Sequence, residues 1–165
     1  MLKQLVGHFF GGTIYVQLWE DRLKVINIKS GAEYDEPPFI ALKENNKRHK
    51  IILAVGREAQ ALKNADRTEV INPFSHPRML VANFMLAEKI LLHSFFMTSG
   101  NKFFAPLPRV VIQPMEKLEG GLTDIETRVF RELCLGAGAR EVVLYLGAPL
   151  SKNNFNFDEV KKLGV

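Results

Sequence analysis

One cysteine in 165 residues, Cys134, excludes an intramolecular disulfide and fits a reducing compartment. It falls in a stretch of helical period, so a buried structural thiol is expected there rather than a nucleophile. No run reaches the roughly 18 to 20 apolar residues of a helical membrane span. The first ten residues alternate apolar and polar without a small-residue cleavage site, so no signal peptide is expected and the protein is read as cytoplasmic. Internal repeats and low-complexity segments are missing. The four histidines, His8, His49, His76 and His93, are scattered with no His-x-x-x-His pair, and no metal site is expected. Gly136-x-Gly138 follows a helix and precedes a strand, the reverse of a dinucleotide fingerprint. Its expected role is a helix stop with tight packing.

What remains is the composition of one globular domain, 47% hydrophobic and 24% charged. The net charge of +4 suits an anionic partner or a membrane surface, and is also ordinary for a soluble domain. The basic run Lys47-Arg48-His49-Lys50 has no interleaved aromatics, so it reads as a solvated loop and no nucleic-acid partner is expected.

Residues 109–149 form the organising stretch. Arg109-Val110-Val111-Ile112-Gln113 is a β-branched strand closed by Pro114. Residues 122–135 have a helical period, with Ile125, Val129 and Leu133 as the expected buried stripe. Thr123-Asp124-Ile125-Glu126 fits a capping box, which explains both acids more simply than a catalytic pair does. Residues 141–146 are a second apolar strand. Strands joined by a crossover helix are expected to lie parallel, side by side and buried.

Upstream, residues 13–18 and 23–28 predict a hairpin across Glu20-Asp21-Arg22, and 37–42 a third strand entered through two prolines. Residues 51–55 predict a strand, 57–63 a short helix, 70–71 an extended segment, and Asn72-Pro73 with His76-Pro77 a loop. Residues 79–98 predict the longest helix, apolar on most sides and therefore packed on more than one. A last short helix is expected at 158–163. At the start, Leu2, Leu5, Val6, Phe9 and Phe10 share one helical face. Ten residues do not hold a helix alone in water. Either a membrane interface or a docking site on this domain or a neighbouring subunit completes it.

Several short runs occur in one order and together resemble the bacterial actin family of MreB, the rod-shape-determining proteins. They are Asp35-Glu36-Pro37, Ala54-Val55-Gly56-x-x-Ala59, Ile71-x-Pro73, Ala82-x-Phe84, Glu88-Lys89, the strand at Arg109 through Pro114, Glu126-x-Arg128-x-x-Arg131-Glu132 and Gly136-Ala137-Gly138-Ala139-Arg140-Glu141-Val142. Met1-Leu2-Lys3 with Phe9 is similar to the membrane-binding start of some members. The likeness covers about residues 1–150 and the first half of the family, with one extra loop around 117–121. It implies an α/β, ribonuclease H-like fold, an actin-like ATPase subdomain. The expected form is a mixed sheet of about five strands, with an antiparallel three-strand meander, a strand–helix–strand crossover and helices packed on the sheet. The domains expected are an amphipathic segment at 1–10, the actin-like subdomain at 11–150 with a reduced insertion near 44–78, and a tail at 151–165.

The departures bear on function. The family's first phosphate loop carries Asp and then Leu-Gly-Thr after the first strand, for the magnesium shell and for backbone N–H groups that reach phosphate. Here the run is Gln17-Leu18-Trp19-Glu20-Asp21. Gln17 lacks the charge, Trp19 is bulky, and Glu20 and Asp21 repel phosphate. Where the family places a catalytic Glu before a Pro, this chain has Leu146-Gly147-Ala148-Pro149. The first strand also lacks the mid-strand acid of ribonuclease H-like nucleases. The resemblance therefore implies a non-catalytic protein with no ATP or magnesium cofactor, acting through protein partners such as an actin-like filament, itself or envelope proteins. Peripheral contact with the inner membrane goes with that reading. The alternative is a residual nucleotide-binding ATPase or switch.

Overall fold

The computed structural model describes residues 12–99 and 107–165. The apolar positions Leu2, Leu5, Val6, Phe9 and Phe10 lie outside them. β1 (Thr13–Leu18) and β2 (Leu23–Asn27) form the expected hairpin, with Val16 opposite Val25. The third strand of the meander differs from expectation: it is β3 (Glu33–Glu36), paired antiparallel with β2. Pro37 and Pro38 end that strand rather than lead it onward, because a residue without N–H cannot extend the ladder.

The apolar run after the prolines starts a second sheet instead. β4 (Ile40–Glu44) lies between β5 (Lys50–Val55) and β6 (Thr68–Ile71), antiparallel to both. A one-turn helix, α1 (Arg57–Ala61), joins the last two. The long helix α2 (Phe84–Ser99) begins five residues later than its apolar pattern suggests. Asn83 accounts for the start, since its side chain accepts the Leu86 N–H at 3.1 Å.

β7 (Arg109–Pro114), α3 (Asp124–Gly136) and β8 (Glu141–Leu144) make the crossover, and β7 and β8 are parallel as expected. β7 also pairs parallel with β1, giving a five-stranded mixed sheet of order β3-β2-β1-β7-β8. The capping box forms: Thr123 accepts the Glu126 N–H, and Glu126 accepts the Thr123 N–H. At the other end of α3 the helix backbone runs close beside α2, and a Cβ on Gly136 would lie 2.0 Å from the Glu88 carboxylate. Gly138 then takes φ +101, a conformation that glycine alone adopts readily. The chain closes with α4 (Phe157–Leu163).

Strand alternation divides the core between the two faces of the large sheet. Ile14, Val16, Leu18, Val110 and Ile112 pack toward α2, α3 and the small sheet. Tyr15, Val111, Val143, Phe157 and Val160 pack on the opposite face under α4. The expectations for the helices hold in part: α2 packs on β2, β3 and α3, as a helix apolar on most sides should, and Leu133 of the expected α3 stripe is buried. Ile125 is 76% exposed, and the buried residues of α3 are Phe130, Leu133 and Cys134. The stripe is rotated because α3 meets α2 and β8 through its second half. Helix α2 buries Ala87, Ile90, Leu91, Ser94, Phe95 and Thr98 but leaves Met85, Leu92, Phe96 and Met97 exposed.

Candidate functional site

In open α/β sheets the ligand crevice lies at the carboxyl ends of the parallel strands. Here that edge is formed by the ends of β1, β7 and β8, and by the turns that follow them. Gln17, Trp19, Glu20 and Asp21 all lie there. Gln17 is nearly buried, and its side-chain amide reaches the Met115 sulfur at 3.7 Å. The turn is closed by Trp19 N–H donating to the Arg22 carbonyl at 2.9 Å. The Arg22 guanidinium lies 5.2 Å from the Trp19 ring centre and grips Asp35 through two bonds of 2.7 and 2.5 Å. That pair holds the Asp35 carboxyl below the usual carboxylate range.

Glu20 sits at the centre of a side-chain network. Its backbone N–H, the kind of group a phosphate loop offers to a phosphate, donates instead to the Glu116 carboxylate. Its own carboxylate accepts from Lys117 Nζ at 2.5 Å and from Ser75 Oγ at 2.8 Å. Lys117 comes first and Ser75 second in lowering its pKa. The Glu20 carbonyl accepts from Asn72 Nδ2 at 2.7 Å. Lys117 also donates to the His76 carbonyl at 2.5 Å. It does so from a left-handed backbone, φ 58, which few residues with a Cβ adopt. Three loops, after β1, β6 and β7, are thus tied together by charged and polar side chains.

A cavity of about 560 Å³ opens beside this network, lined by Glu20, Asp21, Phe39, Lys63, Asn72, Ser75 and Glu116. Its carboxylates Glu20, Asp21 and Glu116 still outnumber the ammonium groups of Lys63, 4.5 Å from the Phe39 ring centre, and of Lys117, bonded to Glu20. Such a wall repels an anion. The segment that follows β8 is fixed separately. Gln113 Nε2 donates to the Gly147 carbonyl at 2.6 Å, Tyr15 donates its hydroxyl to Gln113 Oε1, and the Leu150 N–H donates back to the Tyr15 hydroxyl at 3.2 Å. Burial chiefly pushes the Tyr15 pKa up, so the hydroxyl keeps its proton for this role. No carboxylate stands on Leu146-Gly147-Ala148. Among the described residues no group of three or more His, Cys, Asp or Glu side chains is placed to hold a metal.

The sequence pattern of the MreB/Mbl protein family matches residues 15–148, most of the chain. The chain belongs to the MreB/Mbl family. It is 27% identical over 145 residues to the cell shape-determining protein MreB of Haemophilus influenzae, an alignment covering 87% of this chain and 40% of that protein. It therefore spans about two fifths of the length of that relative. Among solved structures, MreB5 of Spiroplasma citri bound to ADP superposes with TM-score 0.62 at 19% identity, over 82% of this chain and 38% of that one. A MamK double helical filament gives 0.59 at 11%, over 81% and 41%. These structures show an actin-like fold, with the MreB-type order of strands and helices. Within the family frame, Glu116, Lys117, Ser75 and Asn72 are the residues that sequence reading missed as partners of Glu20. The only signal was the extra loop around 117–121, and a contact across 97 positions has no local pattern.

Proposed function

We propose that this MreB-family chain is a non-catalytic component that acts by association with protein partners in cell-shape or envelope work at the inner membrane. One observation carries this reading: the turn after β1 is faced by carboxylates and its Glu20 N–H is taken by Glu116. A nucleotide phosphate there meets the carboxylates of Glu20, Asp21 and Glu116, and the Glu20 N–H is already taken. Gln17 in place of an acid and the neutral segment 146–148 support the same conclusion. Thermal melting with and without millimolar Mg-ATP tests it, and the expected result is an unchanged midpoint. A stabilisation of several degrees sinks it, since a ligand at about 100 times its Kd adds about 2.7 kcal/mol.

The membrane part of the proposal rests on the apolar face Leu2, Leu5, Val6, Phe9 and Phe10. Flotation with anionic vesicles, for the full chain and for a variant lacking residues 1–10, tests it. Equal flotation removes the anchor. A second reading, a residual nucleotide switch, draws on the ADP in the MreB5 structure. The melting experiment decides between the two.

A further inference from the structure

We propose that β5 is the docking edge for a second copy of this chain, paired antiparallel about a two-fold axis. β5 is the outer strand of the small sheet, with β4 on one side only. Ile51, Ile52 and Leu53 are 45%, 45% and 44% exposed. Consecutive strand residues point to opposite faces, so Ile51 and Ile52 open both faces of the strand, and among the described residues its outer edge is unpaired. Folded proteins ordinarily protect such an edge. A groove of about 720 Å³ runs beside it, lined in part by Ile52, Leu53, Tyr34, Glu58, His93 and Met97. It receives the apolar side chains that an added strand brings.

Charge selects the partner and the direction. Antiparallel pairing sets the β4–β5 turn of one copy beside the start of α1 of the other. That turn carries exposed Lys47 and Arg48, and neither makes an ion pair among the described residues. At the start of α1, Arg57 pairs with Glu36 at 3.4 Å, and the Glu58 carboxylate makes no ion pair among the described residues. A two-fold axis brings this basic end to this acidic end twice. A parallel arrangement sets the two basic turns against each other. The strand also limits its own affinity. Ile52 pairs with Leu42 and Ala54 with Ala41, so Leu53 is a bulge that shortens the regular ladder. Side-chain packing of Ile51, Ile52 and Leu53 supplies most of the contact, and the dimer is weak and concentration-dependent.

Sedimentation velocity on the full chain, from about 1 to 100 μM, is the test. The expected result is a shift from monomer to dimer across that range. Ile52→Lys keeps the chain monomeric throughout while leaving the melting midpoint near wild type, since the residue is half-exposed. Lys47→Glu and Glu58→Lys each weaken dimerisation about tenfold, and the double reversal restores it. Oxidation of an Ile52→Cys variant gives a covalent dimer, with the buried native Cys134 taking no part. A wild-type chain that stays monomeric at the top concentration overturns the proposal, as does a dimer that survives Ile52→Lys. Loss without restoration in the double reversal overturns the antiparallel arrangement. This surface goes beyond the function proposed above: a chain that binds nucleotide, or fails to bind vesicles, can still dimerise through β5.

Discussion

Replacing Lys117 by methionine isolates the network that closes the turn after β1. The substitution keeps the apolar stem and removes the ammonium, and with it the bonds to Glu20 and the His76 carbonyl. Hydrogen bonds to charged groups contribute about 1.5–3 kcal/mol each. The Lys117 side chain is only 18% exposed, but Glu20 is 40% exposed, so water recovers part of that bond. The net loss comes to about 2 kcal/mol, or roughly 4–8 °C in melting midpoint for a chain of this size. The pH dependence fixes the sign. The folded Glu20 pKa is lowered, so its contribution is present above the unfolded value of 4.5 and fades as pH falls through the folded value. The gap between wild type and Lys117→Met should be full at neutral pH and shrink below about pH 4.5. Calorimetry across that range is the assay. A variant within about 0.5 kcal/mol of wild type at neutral pH, or a gap that persists unchanged at about pH 3, refutes the reasoning.

The rotated stripe of α3 separates two substitutions that the apolar period treats alike. Leu133→Ala should cost about 2–5 kcal/mol in urea unfolding, and Ile125→Ser should stay within about 0.5 kcal/mol. Cys134 is fully buried, and burial pushes its thiol pKa far up. A thiol reagent should leave the native chain unlabelled and react only after urea unfolding; rapid native labelling contradicts the packing under α3.

The crossover from β7 through α3 to β8 was legible because each boundary has a local cause. Pro114 closes one strand, Thr123 and Glu126 cap the helix, and Gly138 stops it just past Gly136. The family runs are equally local, and they carried the fold before any coordinate did. The identity of the meander's third strand was not legible. Glu33-Tyr34-Asp35-Glu36 has one apolar residue in four and forms a strand because β2 offers it a free edge. The strongly apolar run that follows looks like the better strand, and it is one, but in another sheet. The exposure of Ile125 and of the outer face of α2 has a similar origin: periodicity marks an apolar face and leaves open what covers it.

The sequence by itself determined the charge and bulk of the turn after β1, carried by Gln17, Trp19, Glu20 and Asp21 whatever surrounds them. Only the tertiary structure decided how the turn is filled. Glu116 and Lys117 follow β7, nearly a hundred residues on, and they reach Glu20 because β1 and β7 run parallel and in register, Leu18 beside Pro114. The same holds for β5. Its apolar residues are plain in the sequence, and only its place at the edge of the small sheet leaves them open. Side-chain chemistry is local and can be read along the chain, whereas proximity depends on how the strands pair.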